Sequence, residues 1–247
     1  MILYPTLQLL DGQCVTLPKG AIRDPEVWHG DPVARARSFV EAGAEWLHVT
    51  DLDAVRGTGD NADTVAAIIR QAGVPVQLAG GMTTDSQVTR WREAGAARIV
   101  FGSAAITALD WVKARAKELP DYYAVSIDIS KGRVMRRGWE APSLLAAADL
   151  VRALADTPLA AVIVTDIDHD IELAEASFAL TTKMAEETRS PVISSGLVKT
   201  LDDLSTLAHV PNIAGALIGR PLFDKSIELS AAIEIARPSP EKTAEFL

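Results

Sequence analysis

Cysteine is almost missing from this chain of 247 residues: Cys14 stands alone. One thiol cannot close an internal disulfide, and it excludes cysteine-based metal clusters. Histidine is nearly as scarce, and His29, His48, His169 and His209 show no ligand spacing, so no metal site is expected. Basic runs are missing too. The net charge is −9 with a pI near 5.0, and no block of Lys or Arg forms a nucleic-acid footprint, although local anion sites stay open. No apolar run is long enough for a membrane span. The apolar N-terminus MILYPTLQLL has no basic start or small-residue cleavage pattern, and Pro5 and Asp11 interrupt it, so it reads as a buried strand. Together these absences predict a cytoplasmic protein with no nucleic-acid partner and no membrane; a monomer or weak homo-oligomer with a small molecule as its partner is the accompanying expectation.

What is present is a repeat. LHVTDLD at 47–53 returns as VIVTDID at 162–168, LQLLDG at 7–12 as IDISKG at 127–132, QLAGGM at 77–82 as ISSGLV at 193–198, and IVFGSAAI at 99–106 as ALIGRPLF at 216–223. Four strand-like segments recurring in one order at nearly one period are the mark of a duplicated half-domain. Strands are predicted at 2–10, 46–51, 75–79 and 98–102, and again at 122–129, 161–166, 191–195 and 214–218. Helices are predicted at 32–43, 61–72, 84–94 and 107–118, then at 142–155, 173–188, 200–207 and 221–235. Hydrophobic residues make up 48% of the chain, enough for a large core. Continuous apolar strands such as AAVIV suit a parallel sheet covered on both faces. A doubly wound sheet is the alternative. Two equal halves without a nucleotide fingerprint after the first strand favour an α/β fold of the (β/α)8 barrel type, residues 1–236, with half-barrels meeting near residue 120 and a tail over 237–247.

Barrel chemistry sits at the carboxyl ends of the strands. There the chain places Gln8, Asp11, Asp51, Asp53, Gly80, Gly81, Gly102, Ser103, Asp128, Thr165, Asp166 to Asp170, Ser195, Gly196, Gly219 and Arg220. Glycine at strand ends exposes backbone N–H groups, and helix starts just beyond add positive potential, a combination suited to phosphate. The blander account is that each glycine only permits a tight turn. Each half carries one such pair, so the implied ligand is long and has a phosphate at either end.

The order PTLQLLDG, Lys19-Gly20, GAEWLHVTDLDAVRG, QLAGGM, IVFGSAAI, VSIDISKG, RGWE, TDIDHD, ISSGLV and ALIGRPLF resembles the HisA/HisF family of histidine biosynthesis across almost the whole chain. It is more similar to the isomerase branch than to the cyclase-synthase branch. The resemblance implies a twofold-symmetric barrel, a bisphosphorylated ribonucleotide substrate, no cofactor, and an Amadori rearrangement of an aminoaldose into an aminoketose. That reaction needs one group to protonate the ribose ring oxygen and one to remove the C2 proton. By resemblance Asp128 is one of them, Thr165 and Asp170 bind substrate or assist proton transfer, Trp139 stacks on the substrate base, and Lys19, Gly20 and the strand-end glycines contact the ligand. Asp51 and Asp166 are expected to orient loops.

Departures from the family pattern are equally visible. Gln8 stands where the family has a proton-transferring aspartate, and an amide cannot titrate. Met82 and Thr83 replace a glycine and an arginine, Ile171 replaces a glycine, LAEASF replaces a phosphate loop, and Leu197 replaces a glycine. Three functions therefore stand open: the histidine-pathway isomerase, a paralogue acting on another phosphorylated substrate, and a non-catalytic phospho-ligand-binding barrel.

Overall fold

The computed structural model describes residues 1–17, 24–136, 139, 141–168 and 174–237. Lys19, Gly20, Asp170 and the tail from residue 238 lie outside the described residues.

Eight parallel strands close on themselves. They are β1 (Ile2–Leu10), β4 (Leu47–Asp51), β5 (Val76–Ala79), β6 (Arg98–Phe101), β7 (Tyr123–Ser130), β10 (Ala161–Asp166), β11 (Val192–Ser195) and β12 (Ile213–Ile218). Each pairs in parallel with the next, and β12 returns to β1 with Ile2 opposite Gly215. Closure leaves this ring without an unpaired edge.

Side-chain alternation then divides the core in two. Leu7, Leu9, Leu47, Val49, Leu78, Ile99, Phe101, Ile127 and Val164 face outward and pack against the helices in one large cluster. Tyr4, Val100, Ala124, Ala161, Ile163, Ile193 and Leu217 face inward and fill the lower barrel as a separate cluster. The same inward parity, continued up each strand, delivers Gln8, Thr50, Asp128, Thr165 and Ser195 to the upper mouth.

The helices start on sequence signals. Asp31 accepts from the Val33 N–H at 3.0 Å ahead of Pro32 in α1 (Pro32–Glu41), an acceptor at the cap and a fixed φ at the first turn. Thr84 caps α4 (Asp85–Glu93), and at the repeated position Thr200 caps α9 (Leu201–Leu207) with Asp203 completing a capping box, so the duplication extends to helix starts.

Four short strands were not expected. β2 (Gln13–Thr16) folds back antiparallel on β1 and is joined by β3 (Glu26–Trp28), while β8 (Arg133–Arg136) folds back on β7 and is joined by β9 (Ala141–Ala146). Both hairpins turn on two residues of positive φ, Asp11-Gly12 at 48° and 76° and Lys131-Gly132 at 49° and 73°, the backbone of a tight hairpin turn with glycine second. The helix predicted over 142–155 is therefore corrected: residues 141–146 are β9, and helix α7 spans Ala147–Leu154. The helix predicted over 107–118 is preceded by a separate short turn, Ala104–Thr107, and that over 221–235 is divided into Arg220–Phe223 and Leu229–Ala236.

Candidate active site

The two hairpins are tied down in the same way in each half. Asp53 Oδ2 accepts from the Asp11 N–H at 2.8 Å, and at the repeated positions Asp168 Oδ2 accepts from the Lys131 N–H. Asn61 reinforces the first clamp, donating to Asp51 Oδ1 at 2.8 Å and Asp53 Oδ2 at 2.7 Å while accepting from the Gly12 N–H at 2.9 Å. In the second half Asp166 accepts from the Ser177 hydroxyl at 3.1 Å. Carboxylates that accept from several donors hold loops in place; Asp51 and Asp53 do so buried, Asp166 half-buried and Asp168 exposed, and together they frame the mouth.

Within that frame lies a cavity of about 190 Å³ whose lining includes Gln8, Thr50, Gly80, Gly81, Gly102, Ser103, Asp128, Trp139, Thr165 and Ser195. A neighbouring cavity of about 140 Å³ shares Gln8, Trp139, Thr165 and Ser195 and extends to Gly196, Gly219 and Arg220. The predicted site residues that are described thus line two adjoining cavities that share Gln8, Trp139, Thr165 and Ser195 and form one groove. Its two ends carry the two glycine groups, and Gln8, Asp128, Thr165 and Trp139 lie between them. Arg220 stands at the far end, its Nε 3.6 Å from Glu26 of β3.

Asp128 is the electrostatic centre. It is half-buried and lines the cavity, and burial dominates, pushing its carboxyl above the usual carboxylate range. Trp139, Thr165 and Ser126 oppose that shift by turning polar hydrogens toward the carboxylate; the Ser126 hydroxyl donates to Oδ1 at 3.2 Å. The Trp139 indole N–H is buried without a hydrogen bond of ordinary length, and at longer reach it still favours the charged form. Trp139 holds a φ of +72°, an uncommon conformation for a bulky residue that places its ring over the groove. Thr165 and Asp128 are register partners on β10 and β7, and Thr50 and Gln8 are register partners on β4 and β1. Each half-barrel thus presents one threonine beside one carboxamide or carboxyl group.

The glycines separate into two kinds. A Cβ on Gly80 would stand inside van der Waals contact of the Asp51 carbonyl and 3.0 Å from Asp51 Cβ, and one on Gly81 would meet Ala54 Cβ at 2.9 Å. Both have positive φ, 113° and 68°, so packing against the helix Leu52–Arg56 already requires them. Gly102 is different: nothing lies within 4 Å of its added Cβ. Met82 and Leu197, where the resemblance led to an expectation of glycine, are buried apolar groups, Met82 in the cavity wall and Leu197 in the outer core.

Sequence reasoning missed His48, Thr50, Met135 and Arg136, all of which line the main cavity. Inward parity along β4 would have found the first two. Arg136 follows an unexpected strand and had no such signal. Among the described residues no cluster of three or more His, Cys, Asp or Glu could hold a metal ion, and no helix is long and apolar enough to cross a membrane.

Comparison with known proteins covers the whole barrel. Residues 2–228 match the family described as histidine biosynthesis protein. A relative from Ruegeria pomeroyi, named 1-(5-phosphoribosyl)-5-((5-phosphoribosylamino)methylideneamino)imidazole-4-carboxamide isomerase 2, is 48% identical over 100% of both chains. The similarly named isomerase 1 of Ruegeria sp. strain TM1040 is 45% identical over 100% of both. The isomerase of Jannaschia sp. is 41% identical over 94% of this chain and 98% of its own.

Proposed function

The chain belongs to the histidine biosynthesis protein family, and on that premise we propose that it is an aldose–ketose isomerase acting on the bisphosphorylated aminoaldose named in its relatives. The single observation that carries the reading is a carboxyl of raised pKa at the middle of a groove whose two ends carry glycine-rich strand termini.

Asp128 does the proton work. In its protonated form it gives a proton to the ribose ring oxygen as the C1–O bond breaks and the nitrogen lone pair makes C1 an iminium carbon. The carboxylate so formed then withdraws the C2 proton, the C2–H electron pair forms a C1–C2 double bond, and the C1–N π pair returns to nitrogen. The resulting enaminol becomes the aminoketose when C1 gains a proton and the C2 hydroxyl loses one. One carboxyl can serve both transfers because the proton given to the ring oxygen is replaced by the one taken from C2. That economy suits a site in which Gln8 cannot titrate. The raised pKa makes the protonated form more accessible than in an ordinary carboxylate, which favours a group that must alternate between acid and base.

Thr165 orients the carboxylate, and Trp139 offers its ring to the substrate base. Gly102 and Ser103 take one phosphate, with Arg136 the cation on that cavity wall, while Ser195, Gly196, Gly219 and Arg220 take the other. Lys19, Gly20 and Asp170 complete the set from outside the described residues. No cofactor enters the sequence of proton transfers, and a phosphorylated biosynthetic substrate suits a cytoplasmic enzyme.

The test is complementation of a histidine auxotroph lacking this isomerase. Growth is expected with the natural chain and not with Asp128→Asn; failure of the soluble natural chain to restore growth would favour a paralogue or binding protein.

A further inference from the structure

Below the catalytic layer, polar side chains run around the barrel interior where apolar packing would be ordinary. The order is Arg98 on β6, Gln77 on β5, His48 and Thr50 on β4. Arg98 donates to Gln77 Oε1 at 2.9 Å and to the Tyr4 hydroxyl at 3.2 Å, and its guanidinium lies 4.7 Å from the Trp46 ring centroid. Gln77 Nε2 and His48 Nδ1 are 2.9 Å apart, and His48 Nε2 and Thr50 Oγ1 are 2.9 Å apart. Gln77 has no exposed surface and His48 has 4%.

Donor inventory fixes every hydrogen in this chain. Arginine has no acceptor, so the Gln77 oxygen must face it and the Gln77 amide N–H must face His48. His48 Nδ1 is then an acceptor, which puts the ring hydrogen on Nε2 and directs it at Thr50. The Thr50 oxygen accepts that hydrogen, and its own O–H finds no acceptor among the described residues. It borders the main cavity beside Gln8. Burial and the nearby Arg98 hold the His48 ring neutral, its pKa pushed down to about 3, consistent with this arrangement. Ile163 holds the position equivalent to His48 in the second half, so the chain occurs only in the half where Gln8 stands in the place that Asp128 holds in the other.

We infer that Thr50 is a fixed hydrogen-bond donor to a ribose oxygen of the reacting sugar, on the face opposite Asp128, and that His48, Gln77 and Arg98 are positioning residues that aim it. This inference rests on the isomerase reading for its substrate. The relay does not carry protons onward, because the Gln77 amide cannot give one up to His48. It supplies oriented polarity of the kind that stabilises charge developing on oxygen.

Two measurements test it. The first needs no turnover: nitrogen-15 spectra of the unliganded protein at pH 7 should show His48 protonated on Nε2 alone. A hydrogen on Nδ1 would overturn the relay. The second is kinetic, with the aminoaldose substrate. Thr50→Val should lower kcat about 10²-fold with KM within threefold, the lower end of the range for one oriented donor, and Thr50→Ser should restore kcat to within threefold. His48→Phe should lower kcat in the natural chain yet add less than twofold to Thr50→Val, because it acts through the missing hydroxyl. Additive losses, or Thr50→Val with full kcat, would overturn the assignment. If the natural chain turns over no aminoaldose, the isomerase reading fails and the tautomer alone decides the relay.

Discussion

Gly80 and Gly102 end neighbouring strands and look alike in sequence, yet adding one methyl group to each should have opposite consequences. In Gly80→Ala the new Cβ meets the Asp51 carbonyl and Cβ while the backbone stays at φ 113°. Strained backbone and overpacking each cost about 1–3 kcal/mol, so about 4 kcal/mol together. At this chain length that lowers the melting temperature by about 8–16 °C. Asp51 also holds the Asn61 clamp, so the damage should spread to the mouth. Gly102→Ala meets no atom within 4 Å and should melt at or up to about 3 °C above the natural chain, since alanine restricts the unfolded state. Its methyl group instead enters the cavity, and affinity for the bisphosphorylated product should fall at least about tenfold through lost backbone approach. Thermal denaturation followed by circular dichroism, with calorimetric titration of the product, reads both. Equal melting temperatures for the two variants would refute the packing argument; unchanged affinity in Gly102→Ala would refute the ligand argument.

Asp128 should impose a stability cost at neutral pH. A carboxyl whose folded pKa is raised contributes stability below its unfolded pKa and loses it as pH rises through the folded value, so Asp128→Asn should gain on the natural chain between pH 4 and pH 8 in parallel melts. Gln8→Asp should raise turnover on the aminoaldose by up to about 10²-fold by restoring a second titratable group opposite Asp128; no gain in steady-state rate would mean that the altered glycines, and not proton transfer, limit the reaction. Burial pushes the Cys14 thiol up to about 11, so mass spectrometry after iodoacetamide treatment at pH 8 should find it unmodified in the native protein and alkylated after unfolding.

The barrel was legible because its strands are apolar on both faces and its halves repeat. The additional hairpins were less so. β2, β3, β8 and β9 are short, and the strand β9 was hidden inside a leucine- and alanine-rich stretch whose composition favours helix. Asp11-Gly12 and Lys131-Gly132 were nonetheless hairpin signals at duplicated positions. Gln8, Asp128 and Thr165 could be placed at the mouth from strand ends alone. Thr50 and His48 were passed over because the family resemblance gave them no role, although Thr50 repeats Thr165 and the inward parity of β4 turns both to the cavity. The glycines showed the limit of pattern: one sequence feature covers both a packing requirement at Gly80 and an open approach at Gly102, and only the surrounding atoms separate them.

The central claim is that Asp128 moves the C2 proton of an aminoaldose. The direct measurement is turnover by the purified protein of substrate carrying deuterium at C2, followed by mass spectrometry of the product, with the Asp128→Asn variant in parallel. The account predicts that deuterium is lost to solvent at least in part, that the labelled substrate reacts more slowly, and that the variant loses turnover while binding product within about tenfold of the natural chain. Full retention of deuterium in the product without an isotope effect, or undiminished turnover in Asp128→Asn, would contradict it.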